Sequence, residues 1–258
     1  MELSIKGLYC GYSSEVLKDL NISFKENTWN FFIGATGSGK STFFLTLSKL
    51  LPQIKGDIFL NGESLKSNKG LAELRDKCGI MFQYTEKQFF NSTIKEEILF
   101  NLKRRVKDIE VQNKKLDEII ELLKLDREFL ERSPFEISGG QKRMVALASI
   151  LITDPTILFL DEPTVGLDLE SKNLFFNILK NLKMKGVTIF QVSHFLEDVL
   201  EYGDTVTILS GSKANYYNNV NVVLDKEIIS NANLDPLEKL TTPSDMIERL
   251  LEEKNEKI

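Results

Sequence analysis

The stretch Trp29-Asn30-Phe31-Phe32-Ile33-Gly34-Ala35-Thr36-Gly37-Ser38-Gly39-Lys40-Ser41-Thr42 decides how this chain is read. Its first five residues form a short apolar run of the kind that makes a buried strand. Gly34 to Ser41 then match the pattern G-x-x-x-x-G-K-[ST]. The glycines Gly34, Gly37 and Gly39 let the backbone N–H groups of the loop, including those of Ala35, Thr36 and Ser38, turn inward and close on phosphate oxygens. A helix expected over residues 40–51, stopped by Pro52, would present its positive dipole end to the same anion. Lys40 supplies a mobile cation for the β- and γ-phosphates. Ser41 offers a hydroxyl oxygen to Mg²⁺, and Thr42 closes the nucleotide-binding set. The loop predicts a site for ATP and Mg²⁺.

Working outward, short apolar strands are expected over 58–60, 79–82, 157–160, 187–192 and 206–209, with helices over 169–185 and 195–202. Strands and helices alternating at this spacing imply a parallel sheet with right-handed crossovers. Earlier in the chain Leu3, Ile5 and Leu8 lie in one apolar segment, and residues 20–24 alternate with period two. Residues 93–131 change character to charged helix with leucine-type spacing, read as a helical insert. The strand over 157–160 ends in Asp161 and Glu162. Ligands gather at the carboxyl ends of parallel strands. Asp161 is therefore placed to hold Mg²⁺, and Glu162 to polarise a water that attacks the γ-phosphate. Ser138-Gly139-Gly140-Gln141 stands before a helix expected over 142–152, which makes a second helix N-terminus suited to an anion. Near the end, Thr242-Pro243-Ser244-Asp245 predicts a capped helix start.

Composition sets the class. The chain has 258 residues, 42% hydrophobic and 28% charged, the balance of a globular domain rather than a disordered or collagen-like one. Lys+Arg 33 against Asp+Glu 38 leaves a net charge of −5, which disfavours a generally basic nucleic-acid binder. Cys10 and Cys78 are the only cysteines, so a secreted disulfide framework is excluded and a reducing cytosol is expected. The start MELSIKGLYC has no apolar signal region, and no apolar run reaches the roughly 18 residues of a membrane span.

Taken together, these motifs resemble those of the ATP-binding-cassette ATPases, over about residues 3–210 and in the family's order. Ser138, Gly139, Gly140 and Gln141 resemble the family signature, Gln83 the Q-loop, Gly166-Leu167-Asp168 the D-loop, His194 the switch histidine and Tyr12 the aromatic that stacks on adenine. The resemblance implies an α/β P-loop NTPase core with a parallel sheet, an antiparallel N-terminal β subdomain and an inserted α-helical subdomain. It gives catalytic roles to Glu162, His194 and Gln83, and metal-holding roles to Ser41, Gln83 and Asp161. It also implies two cassettes paired head to tail, with Ser138 to Gln141 acting on the partner's ATP. The expected division is a nucleotide-binding core of residues 1–89 and 135–230, a helical subdomain of 90–134 and a C-terminal extension of 231–258.

Within the family, the segment from Cys78 to Phe90 is similar to the Q-loop of energy-coupling-factor vitamin and cobalt importers. There a second Gln, here Gln88, soon follows the first, and an apolar pair, here Phe89-Phe90, comes next. Pro134-Phe135-Glu136 before the signature fits the same group, whereas Thr85 stands where a Pro is usual. Of that group's two paralogous ATPases the chain is more similar to the second. The resemblance implies a peripheral protein on the cytoplasmic face of the cell membrane. Its implied partners are a second cassette subunit (a paralogue, or a second copy), a transmembrane coupling subunit and a substrate-binding membrane subunit, with no nucleic acid. Gln88, Phe89 and Phe90 are then the expected coupling contacts. The rival reading is a cassette ATPase acting on nucleic acid or ribosomes. Such proteins tend to carry two cassettes or a long coiled-coil insert, neither of which is present. A catalytically silent cassette is opposed by Lys40, Asp161, Glu162 and His194.

Overall fold

The computed structural model describes residues 2–237. Its larger sheet has six strands, in the order β10 (Lys213–Tyr217), β9 (Thr205–Ser210), β3 (Trp29–Ile33), β8 (Thr188–Val192), β7 (Ile157–Asp161) and β6 (Cys78–Met81). All neighbours pair in parallel except β10, which returns antiparallel along β9. Every residue of β3 and β8 is buried. A central parallel strand is covered on both faces, which is why β3 reads as a continuous apolar run rather than an alternating one.

A smaller antiparallel sheet lies beside it, in the order β2 (Leu17–Phe24), β1 (Leu3–Cys10), β4 (Lys55–Leu60) and β5 (Glu63–Ser64). Its inward residues Leu3, Ile5, Leu20 and Phe24 share a core with Phe43, Phe44 and Leu47 of helix α1 (Lys40–Leu47) and with Phe32, Phe159 and Phe190 of the large sheet. Phe24 meets Phe32, Phe190 and Tyr216 edge-on, at centroid distances of 6.0, 5.2 and 5.5 Å. Edge-to-face packing of this kind adds about 0.5–1.5 kcal/mol per pair beyond area burial, so the two sheets hold α1 firmly between them.

The remaining helices are α2 (Asn68–Lys77), α3 (Ile94–Arg105), α4 (Ile109–Leu123), α5 (Gly139–Leu151), α6 (Leu169–Met184), α7 (Leu196–Tyr202) and α8 (Lys226–Asn231). The opposite face of the large sheet, with Trp29, Phe31, Leu158 and Ile189, shares one core with α5 and α6 and with Ile98, Leu102, Leu116 and Ile120 of α3 and α4. No helix among the described residues is long and apolar enough to cross a membrane.

Several boundaries differ from the sequence expectation, each for a local reason. Helix α1 ends at Leu47, not near 51, because Lys49 turns left-handed (φ 60°) and the N–H groups of Leu50 and Leu51 fold back on Leu45 O. Pro52 is a later stop than the one the backbone uses. Helix α5 begins at Gly139, three residues early, because Ser138 is its N-cap. The helical insert divides at residues 106–108, where Asp108 caps α4 through the N–H groups of Glu110 and Val111. Helices α2 and α8 and strand β10 were not anticipated. Helix α2 buries only Gly70 and Leu74, and β10 has no fully buried residue, so neither carries a strong apolar period. The helix expected after Thr242 lies outside the described residues. Cys10 is buried and Cys78 half-buried, and burial pushes both thiols up to about 11, so neither is primed as a nucleophile.

Candidate nucleotide site

Strand β3 delivers the chain into the glycine loop. A Cβ at Gly34 would stand 2.5 Å from both Leu209 O and Ser38 Oγ, so only glycine fits there. Gly39 is left-handed (φ 99°) and caps α1 with no side-chain hydrogen bond, leaving the first N–H groups of the helix facing the loop. The Lys40 ammonium curls over the loop and donates to Gly34 O at 2.6 Å and Ala35 O at 3.0 Å. Burial holds its pKa below the usual lysine range, opposed by attraction to Glu162 and Asp161.

Three parallel strands end side by side against this loop. Gln83 lies just beyond β6, Glu162 just beyond β7 and His194 just beyond β8. The Glu162 carboxylate gathers the other two: Gln83 Nε2 donates to Oε2 at 2.8 Å, and His194 Nε2 lies 2.6 Å from Oε1. Glu162 has a left-handed backbone (φ 48°), and its N–H donates to Val192 O at 3.2 Å. Next to it, Asp161 is pushed up to about 6 by burial first and by the Glu162 charge second, with Lys40 pulling the other way. The low-dielectric strand end thus raises the cost of two adjacent carboxylates, which a cation would relieve.

The loop and the strand ends enclose a cleft of about 560 Å³, lined among others by Tyr12, Val16, Lys40, Ser41, Gln83 and His194. Tyr12 stands 68% exposed at its mouth. Val16 was not singled out from the sequence. It forms an apolar wall whose Cγ1 a Cβ at Gly39 would meet at 3.1 Å.

The other expected site residues lie elsewhere. Ser138 accepts from Gln141 N at 3.3 Å, while Gln141 Oε1 accepts from Ser138 N at 3.0 Å, so the signature closes on itself as a capping box. A Cβ at Gly139 would meet open space. Asp168 caps α6 through Ser171 N at 2.8 Å, and that bond holds its carboxyl below the usual range. The pair Phe89-Phe90 divides. Phe89 is buried in the core, so it is no surface contact, whereas Phe90 is 60% exposed and meets Phe100 edge-on at 4.6 Å. Gln88 is half-buried in the turn before them. One residue that sequence reasoning missed is Arg143 of α5, whose guanidinium donates to Glu162 O at 3.3 Å and Pro163 O at 3.4 Å. It ties the signature helix to the strand end that carries Glu162, and its only sequence cue was a cation two residues past the signature.

The pattern of the ABC transporter family matches residues 17–165, which contain the loop, the Q-loop, the signature and the acidic strand end. The chain belongs to that family. As an ABC cassette it binds nucleotide and is an ATPase. It is 36% identical over 248 residues to the energy-coupling factor transporter ATP-binding protein EcfA2 of Acetivibrio thermocellus, covering 96% of this chain and 85% of that one. It is 41% identical over 197 residues to EcfA2 of Bacillus subtilis, covering 75% and 71%. Among solved structures, the cassette is similar to cbiO1 of Clostridium perfringens, part of the ABC transporter complex cbiONQ, at 27% identity with a TM-score of 0.77 over 97% of this chain and 98% of that one.

Proposed function

We propose that this cassette is the ATP-hydrolysing subunit of an energy-coupling-factor type importer, peripheral to the cytoplasmic face of the membrane. The observation that carries the reading is the meeting of Gln83, Glu162 and His194 beneath the phosphate loop, in a chain whose curated relatives bear that transporter's name. Lys40 and the loop N–H groups bind the β- and γ-phosphates, and Tyr12 and Val16 receive the base. Glu162 takes the proton of the attacking water. His194 and Gln83 orient the Glu162 carboxylate and reach the γ-phosphate. A hydroxyl from Ser41, an amide oxygen from Gln83 and one carboxylate from Asp161 form a hard-oxygen set suited to Mg²⁺, which is held by few carboxylates plus substrate phosphates. When bound, that ion supplies charge neutralisation at the phosphates.

Ser138 to Gln141 complete the ATP site of a second cassette, and Asp168 lies at that junction. Residues 90–134 form the arm that responds to the transmembrane partner, with Phe90 as the exposed apolar contact and Gln88 in the turn that leads to it. Burying one Phe contributes roughly 1.5–3 kcal/mol, enough to anchor a docked helix. The test is to co-express the cassette with its membrane partners and to replace Phe90 by Ser. The expected outcome is weaker co-purification or reduced uptake, with ATP affinity unchanged. Normal assembly and uptake by Phe90→Ser would remove the contact. ATPase activity that neither pellets with membranes nor depends on them would overturn the importer reading.

A further inference from the structure

Asp198 lies in the first turn of α7, four residues past His194, and is only 3% exposed. Its Oδ1 accepts from the Lys172 ammonium at 2.7 Å, and its Oδ2 has no hydrogen-bond partner. Burial raises its pKa, with Lys172 opposing and Glu197 and Glu201 adding to the rise. Lys172 lies in the first turn of α6, and its N–H donates to Asp168 O at 2.9 Å. The same ammonium stands 4.8 Å from the ring of Phe195, the residue directly after His194, and 5.6 Å from that of Phe176. Phe195 N–H in turn donates to Ser193 Oγ at 3.0 Å. One cation therefore touches both sides of the turn that carries His194 and hangs from the turn capped by Asp168.

A buried ion pair is a poor way to add stability, because desolvation cancels most of the attraction and apolar replacements are often as stable. It is a good way to fix a geometry, since a charge without its partner is costly and so only one arrangement is tolerated. The place where geometry matters is close by. Among the described residues the His194 ring has one polar contact, Glu162, so no second hydrogen bond sets its orientation.

We propose that Lys172 and Asp198 are positioning residues for the hydrolytic step: their ion pair, with Phe195 beneath the ammonium, holds His194 against Glu162 and makes that placement depend on the Asp168 turn. The inference rests on the proposed roles of Glu162 and His194. It extends them, because the D-loop turn faces the second cassette in the proposed assembly, and the strut gives that junction a physical route to the switch histidine.

The experiment compares Lys172→Arg, the apolar double variant Lys172→Met with Asp198→Leu, His194→Ala, and the double variant combined with His194→Ala, all in the assembled complex. The readouts are kcat, KM for MgATP and the unfolding temperature. The apolar double variant should keep its unfolding temperature and KM but lose kcat on the order of tenfold, as misplacement of a reacting group does. Lys172→Arg, which keeps the charge and the ring contact, should restore most of the rate. In the His194→Ala background the double variant should cost nothing further, because the strut then has nothing to place. Wild-type kcat in the apolar double variant, or a loss that adds fully to that of His194→Ala, would overturn the strut while leaving the site reading intact. An unchanged kcat in His194→Ala itself would overturn the site reading, and the strut with it. A fall in kcat matched by a fall in unfolding temperature would make the pair structural. Should the double variant not fold, Asp198→Asn with Lys172→Gln, which keeps a hydrogen bond without charge, is read by the same criteria.

Discussion

Two helices of this cassette start from small-residue loops, and they are built in opposite ways. At α1 the left-handed Gly39 provides no side-chain cap, and the ammonium of Lys40 and the carboxylate of Asp161 lie close by. At α5 the Ser138 hydroxyl and the Gln141 amide satisfy each other's backbone N–H, in a turn whose first residues are exposed. The first helix end is left open toward a cleft with its own charges. The second is already satisfied and has only a surface to offer. The difference teaches that the two anion sites legible in the sequence are not equivalent. One can bind a nucleotide within the chain, whereas the other can at most complete a site assembled elsewhere, as the proposed head-to-tail pairing requires.

The sharpest way to separate the two ends is at the chemistry. Glu162→Gln keeps the shape of the side chain and its contacts with Gln83 and His194 but cannot take a proton. Turnover should fall on the order of 10²–10⁴-fold with ATP still bound. Single-turnover hydrolysis with equilibrium binding checks this, and near-normal hydrolysis would remove Glu162 as the base. Lys40→Ala should weaken MgATP binding by roughly 1.5–3 kcal/mol, about ten- to a hundredfold in Kd, since one charge-assisted contact is lost. Calorimetry showing wild-type affinity would break the assignment of the open end. Ser138→Arg should block hydrolysis at the opposite subunit's site and leave nucleotide binding to this chain's loop unchanged. Photo-crosslinking reads the two subunits separately, and loss of label from this chain would make the two ends alike after all. The smallest effect belongs to Ser138→Ala, which removes the cap and should cost about 1 kcal/mol of stability in the isolated subunit. Denaturant unfolding measures it, and no change would mean that the box is not what closes the second end.

How legible all this was depends on whether a feature is local. The strand Trp29–Ile33 appears in the structure with the bounds read from the sequence, because a fully covered strand has an unbroken apolar run. Gln83, Glu162 and His194 could be named one by one, since each follows an apolar strand, and their meeting follows from parallel neighbours β6, β7 and β8. What stayed hidden needed the third dimension. Phe89 and Phe90 are adjacent in sequence and alike in chemistry, yet one is core and the other surface, because they lie in an irregular turn where no period assigns a face. Arg143 acts through backbone carbonyls of residues nineteen and twenty positions away, a contact no side-chain pattern announces. Lys172 and Asp198 each looked like one more charge on a helix face, and only the packing of α6 against α7 buries them together.

The left-handed backbone at Glu162 has a consequence for anyone who would improve this protein. A non-glycine residue at positive φ carries local strain, and glycine there would relax it. A library screened for thermal tolerance alone would be drawn toward glycine at that position, and the winners would be more robust and inert. Selection for endurance and selection for turnover pull in opposite directions at one residue, so a stabilised cassette should be sought with position 162 held fixed.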